Sequence, residues 1–172
     1  MAKNLIIYYS RKGENYVNGS VRRLEKGNTE YVAEFIQKAV GGDLFEVQTV
    51  KEYSPSYMTC IEEAKEELRA KDRPALKKYL DDISDYENIF ICGPCWWGIY
   101  PMAMYTLTDR MNFAGKKVMF VVTHEGSGLG SCERDMKKHL KGNPVYGQAL
   151  AIHGADAPHS EQEVSSWAKA QI

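Results

Sequence analysis

The chain has 172 residues, of which 44% are apolar and 26% charged, and a formal net charge of −1. That length supports one domain with a full hydrophobic core, spanning residues 1–172, and the composition is that of an ordinary soluble globular protein. The charge balance excludes the global field that gathers nucleic acid or an anionic membrane, so neither is an expected partner.

Five strand-like runs alternate with helix-like runs. Leu5–Tyr9 is apolar and aromatic and reads as the first strand; as an apolar run it is too short for a signal-peptide core or a membrane span. A cytoplasmic location is therefore expected, with the four cysteines (Cys60, Cys92, Cys95, Cys132) as reduced thiols. From Asn28 to Val40, Val32, Ala33, Phe35, Ile36 and Ala39 form one apolar stripe, and Gly41-Gly42 ends the predicted helix. Leu44–Val50 alternates as a half-covered strand. Tyr57–Leu80 is helical and highly charged, with a break near Pro74. Asn88–Cys92 is a short buried strand. Met102–Met111 is a helix with Pro101 at its first turn. Val118–Val122 is the fourth strand, Gly130–Leu140 a basic helix and Val145–Ile152 the fifth strand. Ser160 and Glu163 have capping-box spacing at the start of a last helix that runs through Trp167. No internal repeat or second domain is visible.

Strands separated by helix-length crossovers pair in parallel. The expected fold is α/β, a three-layer αβα sandwich with a five-stranded parallel sheet in the order 2-1-3-4-5. In that order the loops after the first, third and fourth strands open on one rim, where open α/β sheets bind ligands.

Each of those loops has a composition suited to a ligand. The first begins Ser10-Arg11-Lys12-Gly13-Glu14-Asn15, and its helix starts at Gly27-Asn28-Thr29. Hydroxyl, amide and Gly residues before a helix N-terminus suit a phosphate, whose oxygens accept from free N–H groups. Asn28 and Thr29 serve equally well as a helix cap with no ligand. Neither a P-loop nor a dinucleotide fingerprint is present. The second loop, Gly93-Pro94-Cys95-Trp96-Trp97-Gly98, places two adjacent indoles where the chain should be at the surface, which suggests a planar partner. The third, Thr123-His124-Glu125-Gly126-Ser127-Gly128-Leu129-Gly130, lets backbone approach a ligand edge closely.

The strings Y-Y-S-R-K-G-E-N-Y, G-N-T-E, G-P-x-W-W-G-x-x-P-M and T-H-E-G-S-G-L-G-S-x-E-R-D, in this order, resemble the flavodoxin-like proteins. The resemblance implies bound flavin mononucleotide (FMN) and low-potential electron transfer between redox partner proteins, by a monomer or weak dimer. It implies a phosphate site at Ser10 with Asn28 and Thr29, or with Lys12, Gly13 or Asn15 in their place. Pro94, Cys95, Trp96, Trp97 and Gly98 would flank the ring, with the Gly98 carbonyl facing its N5 atom. His124, Glu125, Gly126 and Ser127 would border its pyrimidine edge. The chain departs from the pattern in the long stretch Arg11–Lys26 and in lacking the strong acidity that suits flavodoxins to basic partners.

Three other functions compete with this reading. An FMN-dependent NAD(P)H:quinone or nitro-compound reductase would use the same pocket, with Tyr100 or His124 as proton donor; an electron carrier, with no catalytic residue, is the preferred reading. A thiol-disulfide oxidoreductase would use Cys92-Gly93-Pro94-Cys95. Against it, Cys92 ends an apolar strand instead of opening a helix. A response-regulator module lacks the acidic strand ends it needs, and the four histidines show no metal-ligand spacing with the cysteines. The basic run Arg134, Lys137, Lys138, His139 and Lys141 is either a docking face for an acidic partner or a solvated surface.

Overall fold

A computed structural model describes residues 3–172. Its strands and helices follow in the order β1 (Asn4–Tyr8), β2 (Gly13–Val17), β3 (Ser20–Leu24), α1 (Asn28–Val40), β4 (Asp43–Glu46), α2 (Tyr57–Ala70), β5 (Asn88–Pro94), α3 (Met102–Thr108), β6 (Lys117–His124), α4 (Cys132–His139), β7 (Val145–Tyr146), β8 (Leu150–His153) and α5 (Glu161–Gln171). A 3-10 turn, Gly154–His159, joins β8 to α5. Among the described residues no helix is long and apolar enough to cross a membrane.

The main sheet runs β4-β1-β5-β6, with β7 and β8 both against the far side of β6, and every pairing is parallel. This is the predicted 2-1-3-4-5 order, with the fifth strand in two pieces. Strand alternation sorts the core. Leu5, Ile7, Ile89, Ile91, Val118, Phe120 and Val122 face one side, with α3 and the buried side of α4 over them. Ile6, Tyr8, Phe90, Cys92, Met119 and Val121 face the other, under Val32, Ala33 and Ile36 of α1 and Val164 and Ala168 of α5. β1, β5 and β6 are buried on both faces, which is why they read as unbroken apolar runs.

Several expectations change. The stretch Arg11–Lys26, read as an extended loop, contains an antiparallel hairpin: β2 and β3 pair from Gly13↔Leu24 to Val17↔Ser20 around Asn18-Gly19, both at positive φ. An Asn-Gly pair with that backbone is the favoured two-residue hairpin turn. α2 stops at Ala70, not near Leu80, because Lys71 turns left-handed (φ 50°) and closes the helix before Pro74 is reached. The Ser160 capping box does not form. The Ser160 hydroxyl donates to Ala157 O (2.8 Å), and no side chain caps α5. Asn28 is likewise not the N-cap of α1. Gly27 takes that position, and the hydroxyl that accepts from the first turn is Ser10 Oγ, 3.0 Å from the Glu30 N–H. A β-carbon at position 27 would lie 2.1 Å from that Oγ, so only Gly lets β1 and α1 approach this closely.

Candidate functional site

The carboxyl ends of β1, β5 and β6 open into a crevice of about 270 Å³, near the lower end of the roughly 300–1,000 Å³ range of small-molecule sites. Of the fifteen residues singled out from the sequence, nine line it: Asn15, Asn28, Thr29, Pro94, Cys95, Trp96, Trp97, His124 and Glu125.

The sheet side is fixed by short polar ties and packed rings. Thr29 and Thr123 share a hydrogen bond of 2.7 Å between their hydroxyls, joining α1 to the end of β6. Cys95 N–H donates to Thr123 O (3.0 Å), so the second loop continues the ladder past β5. The chain then reverses over Trp97 (φ 55°) and Gly98 (φ 91°), with paired backbone bonds between Trp96 and Ile99. The two indoles part at this turn. Trp96 packs edge-on against Tyr9 (5.2 Å) and Tyr53 (5.3 Å). Trp97 is 47% exposed, donates from Nε1 to Ile61 O (2.9 Å) and carries the Lys65 ammonium over its ring.

The opposite side comes from the hairpin and α2, with Arg11 of the first loop, and sequence reading missed its other residues, Tyr16, Tyr57, Cys60, Ile61 and Ala64, with Gly154 elsewhere on the wall. Tyr16 and Tyr57 stack at 5.9 Å with 22° between their planes. Arg11 donates to Glu14 O, Ser54 O and Pro55 O, and the Tyr57 N–H donates to Glu14 Oε1. The Asn18 N–H at the hairpin tip donates to Glu125 Oε1 (2.7 Å), so the hairpin reaches across to the third loop. The signals in the sequence were the Asn18-Gly19 turn and the paired aromatic positions.

Six of the fifteen residues lie off the crevice. Ser10 and Lys12 line a neighbouring cleft beside β4 instead. Gly13 opens β2. The Gly98 carbonyl accepts from the Ser131 N–H (2.7 Å), so it turns toward the start of α4 and not toward the crevice. Gly126 and Ser127 belong to the turn beyond Glu125, where the Gly126 N–H donates to His124 Nδ1 (2.9 Å).

Charge in the crevice is sparse. Burial, with His153 beside it, lowers the pKa of His124 and favours its neutral form. Its Nδ1 is an acceptor, which leaves the ring proton on Nε2. Among the first-turn N–H groups of α1, Glu30 is taken by Ser10 and Tyr31 by Gly27 O, which leaves those of Asn28 and Thr29 at the crevice. Tyr100 is fully buried and donates to Ile91 O and Val121 O, so it is a core residue with no route to a substrate. Cys92 and Cys95 do not form a dithiol pair: Cys92 points into the core on the α1/α5 side, Cys95 packs on the other face, and burial raises the Cys92 pKa steeply. Of the basic run near α4, Lys137 pairs with Glu133, Arg134 with Ser131 Oγ and Lys141 with Asp109 O.

A family model described as Flavodoxin matches residues 24–170. No curated protein sequence matches the chain. Among solved structures, a candidate flavoprotein from Bacteroides uniformis is 26% identical with a TM-score of 0.74, covering 98% of each chain. One from Bacteroides eggerthii is 24% identical with a TM-score of 0.75, covering 99% of this chain and 98% of its own. A flavoprotein from Lactobacillus acidophilus, solved in complex with FMN, is 21% identical with a TM-score of 0.68, covering 97% of this chain and 99% of its own.

Proposed function

This chain belongs to the flavodoxin family, and we propose that it is an electron-transfer protein that holds FMN in the crevice between the double-tryptophan loop and the hairpin. The observation that carries the reading is the pairing of aromatic walls with a helix N-terminus. Tyr16 and Tyr57 stand on one side, Trp96 and Trp97 on the other. The free N–H groups of α1, with the Asn28 amide and Thr29 hydroxyl, stand at one end. Flat rings select a planar group by stacking, and N–H groups at a helix start select a phosphate, so the residues fit FMN at both ends. FMN, when bound, supplies reversible one- and two-electron chemistry.

The chain's own work is to bind and orient. Asn28 and Thr29 receive the phosphate, and Arg11, on the hairpin side of the same crevice, adds positive charge. The Trp96 ring is held edge-on by Tyr9 and Tyr53, so it costs little to order on binding. Neutral His124 and carboxylate Glu125 border the third side, where Nε2–H of His124 is a donor and Glu125 keeps one oxygen on the hairpin. The exposed edge beside Trp97 is the side from which protein partners, one donor and one acceptor, would approach.

The test is an absorption spectrum of the purified chain with FMN added, followed by anaerobic reduction. Bound FMN that takes up electrons in two separable one-electron steps supports a carrier. Bound FMN reduced in one step by a nicotinamide donor would assign a reductase instead. A chain that binds no FMN ends this reading.

A further inference from the structure

The double-tryptophan loop places a second chemistry in the same crevice. Cys95 lines the crevice and is half-buried, while Cys132 is wholly buried at the first residue of α4. Both thiols border one backbone knot. The Gly98 carbonyl takes the Ser131 N–H at 2.7 Å and has Cys132 Sγ at 3.9 Å. A β-carbon on Gly130 would lie 3.0 Å from Cys95 Sγ and 3.1 Å from the same carbonyl oxygen, so Gly130 is what lets the α4 loop close onto the thiol.

We propose that Cys95 is a nucleophile that reacts with low-molecular-weight disulfides entering the crevice, and that Cys132 is its resolving thiol. In the first step the Cys95 thiolate attacks one sulfur of R–S–S–R. That S–S bond breaks, a mixed disulfide forms on Cys95, and RS⁻ leaves and is protonated. In the second step Cys132 loses its proton and attacks Cys95 Sγ, expelling a second RS⁻ that takes up the proton. Two protein thiols are oxidised to one disulfide, and one small disulfide is reduced to two thiols. The assignment is for the crevice free of FMN, whose ring would occupy the same space, and it does not depend on FMN being the cofactor.

The other cysteines lack these conditions. Cys92 is sealed in the opposite core, and Cys60, although it borders the crevice, is 2% exposed. The electrostatics agree with the geometry. Cys95 is pulled down to about 6, first by the Cys132 thiol and then by the Ser127 hydroxyl and Gly98 N–H, against the effect of burial. Burial pushes Cys60 up to about 11. At neutral pH Cys95 is therefore largely thiolate and Cys60 largely thiol, and the lower basicity of Cys95 returns only part of that advantage. Cys132 is held as a thiol chiefly by the neighbouring Cys95 sulfur, with burial second. Thiolation of Cys95 removes that leading cause, so the second step is released by the first.

The full chain is incubated with oxidised glutathione at neutral pH and followed by intact mass and peptide mapping. The wild type should lose two hydrogens with no lasting adduct, and the new disulfide should map to Cys95 and Cys132. Cys132→Ser should hold one glutathione on Cys95. Cys95→Ser should do neither, and any residual reaction at Cys60 should be slower than that of Cys95 in the wild type. Iodoacetamide on the wild type, which needs no variant to fold, should alkylate Cys95 first. Cys60 reacting as fast as Cys95, or Cys95 left unmodified, would overturn the nucleophile. A wild-type adduct as lasting as that of Cys132→Ser would overturn the resolving role.

Discussion

The two long walls of the crevice are built by different means. The sheet wall is the continuation of β5 and β6, whose side chains are buried on both faces, and Trp96 is locked between Tyr9 and Tyr53. The hairpin wall has a half-buried β2 and an almost wholly solvated β3. It is held by Arg11, Glu14 and the bond from Asn18 to Glu125. One wall is part of the global fold. The hairpin part of the other is a local structure tied on by a few polar contacts, the kind of unit that opens at far lower free energy than the core, while α2 beside it is packed on the core.

Substitutions should separate the two. Phe90→Ala, which empties a fully buried site under Trp167, should cost about 3–5 kcal/mol in urea unfolding and loosen both walls together. Equal stability of this variant and the wild type would show that the sheet does not fix its wall. Tyr16→Ala should leave the unfolding midpoint almost unchanged. It should weaken FMN binding by up to about tenfold, since a stacked aromatic pair contributes about 0.5–1.5 kcal/mol beyond its area; fluorescence titration reads this directly. Glu125→Gln replaces a charged acceptor by a neutral one on an exposed bond, so the smallest effect is expected. Amide exchange at Asn18 should quicken a few-fold while that of β5 does not change.

A pH profile tests the sheet wall at its reactive point. Cys95 has a depressed pKa, so its thiolate is present above about 6 and lost as pH falls through that value. Alkylation of Cys95 should be level above neutrality and fall about tenfold per unit below pH 6. A rate still rising between pH 7 and 9 would place Cys95 among ordinary thiols. Bound FMN should slow the alkylation at every pH, because the ring and the thiol share the crevice.

The contrast also explains what the sequence made legible. Ile89–Cys92 and Val118–Val122 are apolar without interruption because both faces are covered, and that pattern has few other solutions in a chain with helix-length crossovers. The loops at their ends can therefore be placed on one rim from the sequence alone. The hairpin was not legible. Its strands carry Arg22, Arg23 and Glu14 with only weak alternation, since β3 is exposed, and the Asn18-Gly19 turn is a short signal. Gly98 lies off the crevice for another reason. Which way a carbonyl points depends on its partner, and that partner, the Ser131 N–H, lies on a segment more than thirty residues away. Asn28 looked like a cap because residue type alone cannot register a hydroxyl arriving from β1.

The division of the last strand into β7 and β8 has a consequence for solubility. A long, flat outer strand is a template on which other chains extend a sheet. Here that border is two residues, a break, and four residues. In the break, Gln148 O accepts from Trp167 Nε1 and the Gln148 N–H donates to Gln171 Oε1, so α5 consumes the backbone groups that the interruption frees. The opposite border, β4, has four residues. Neither side presents a continuous row of free amides, and the parallel sheet is guarded against the edge-to-edge growth to which its apolar strands would otherwise be prone.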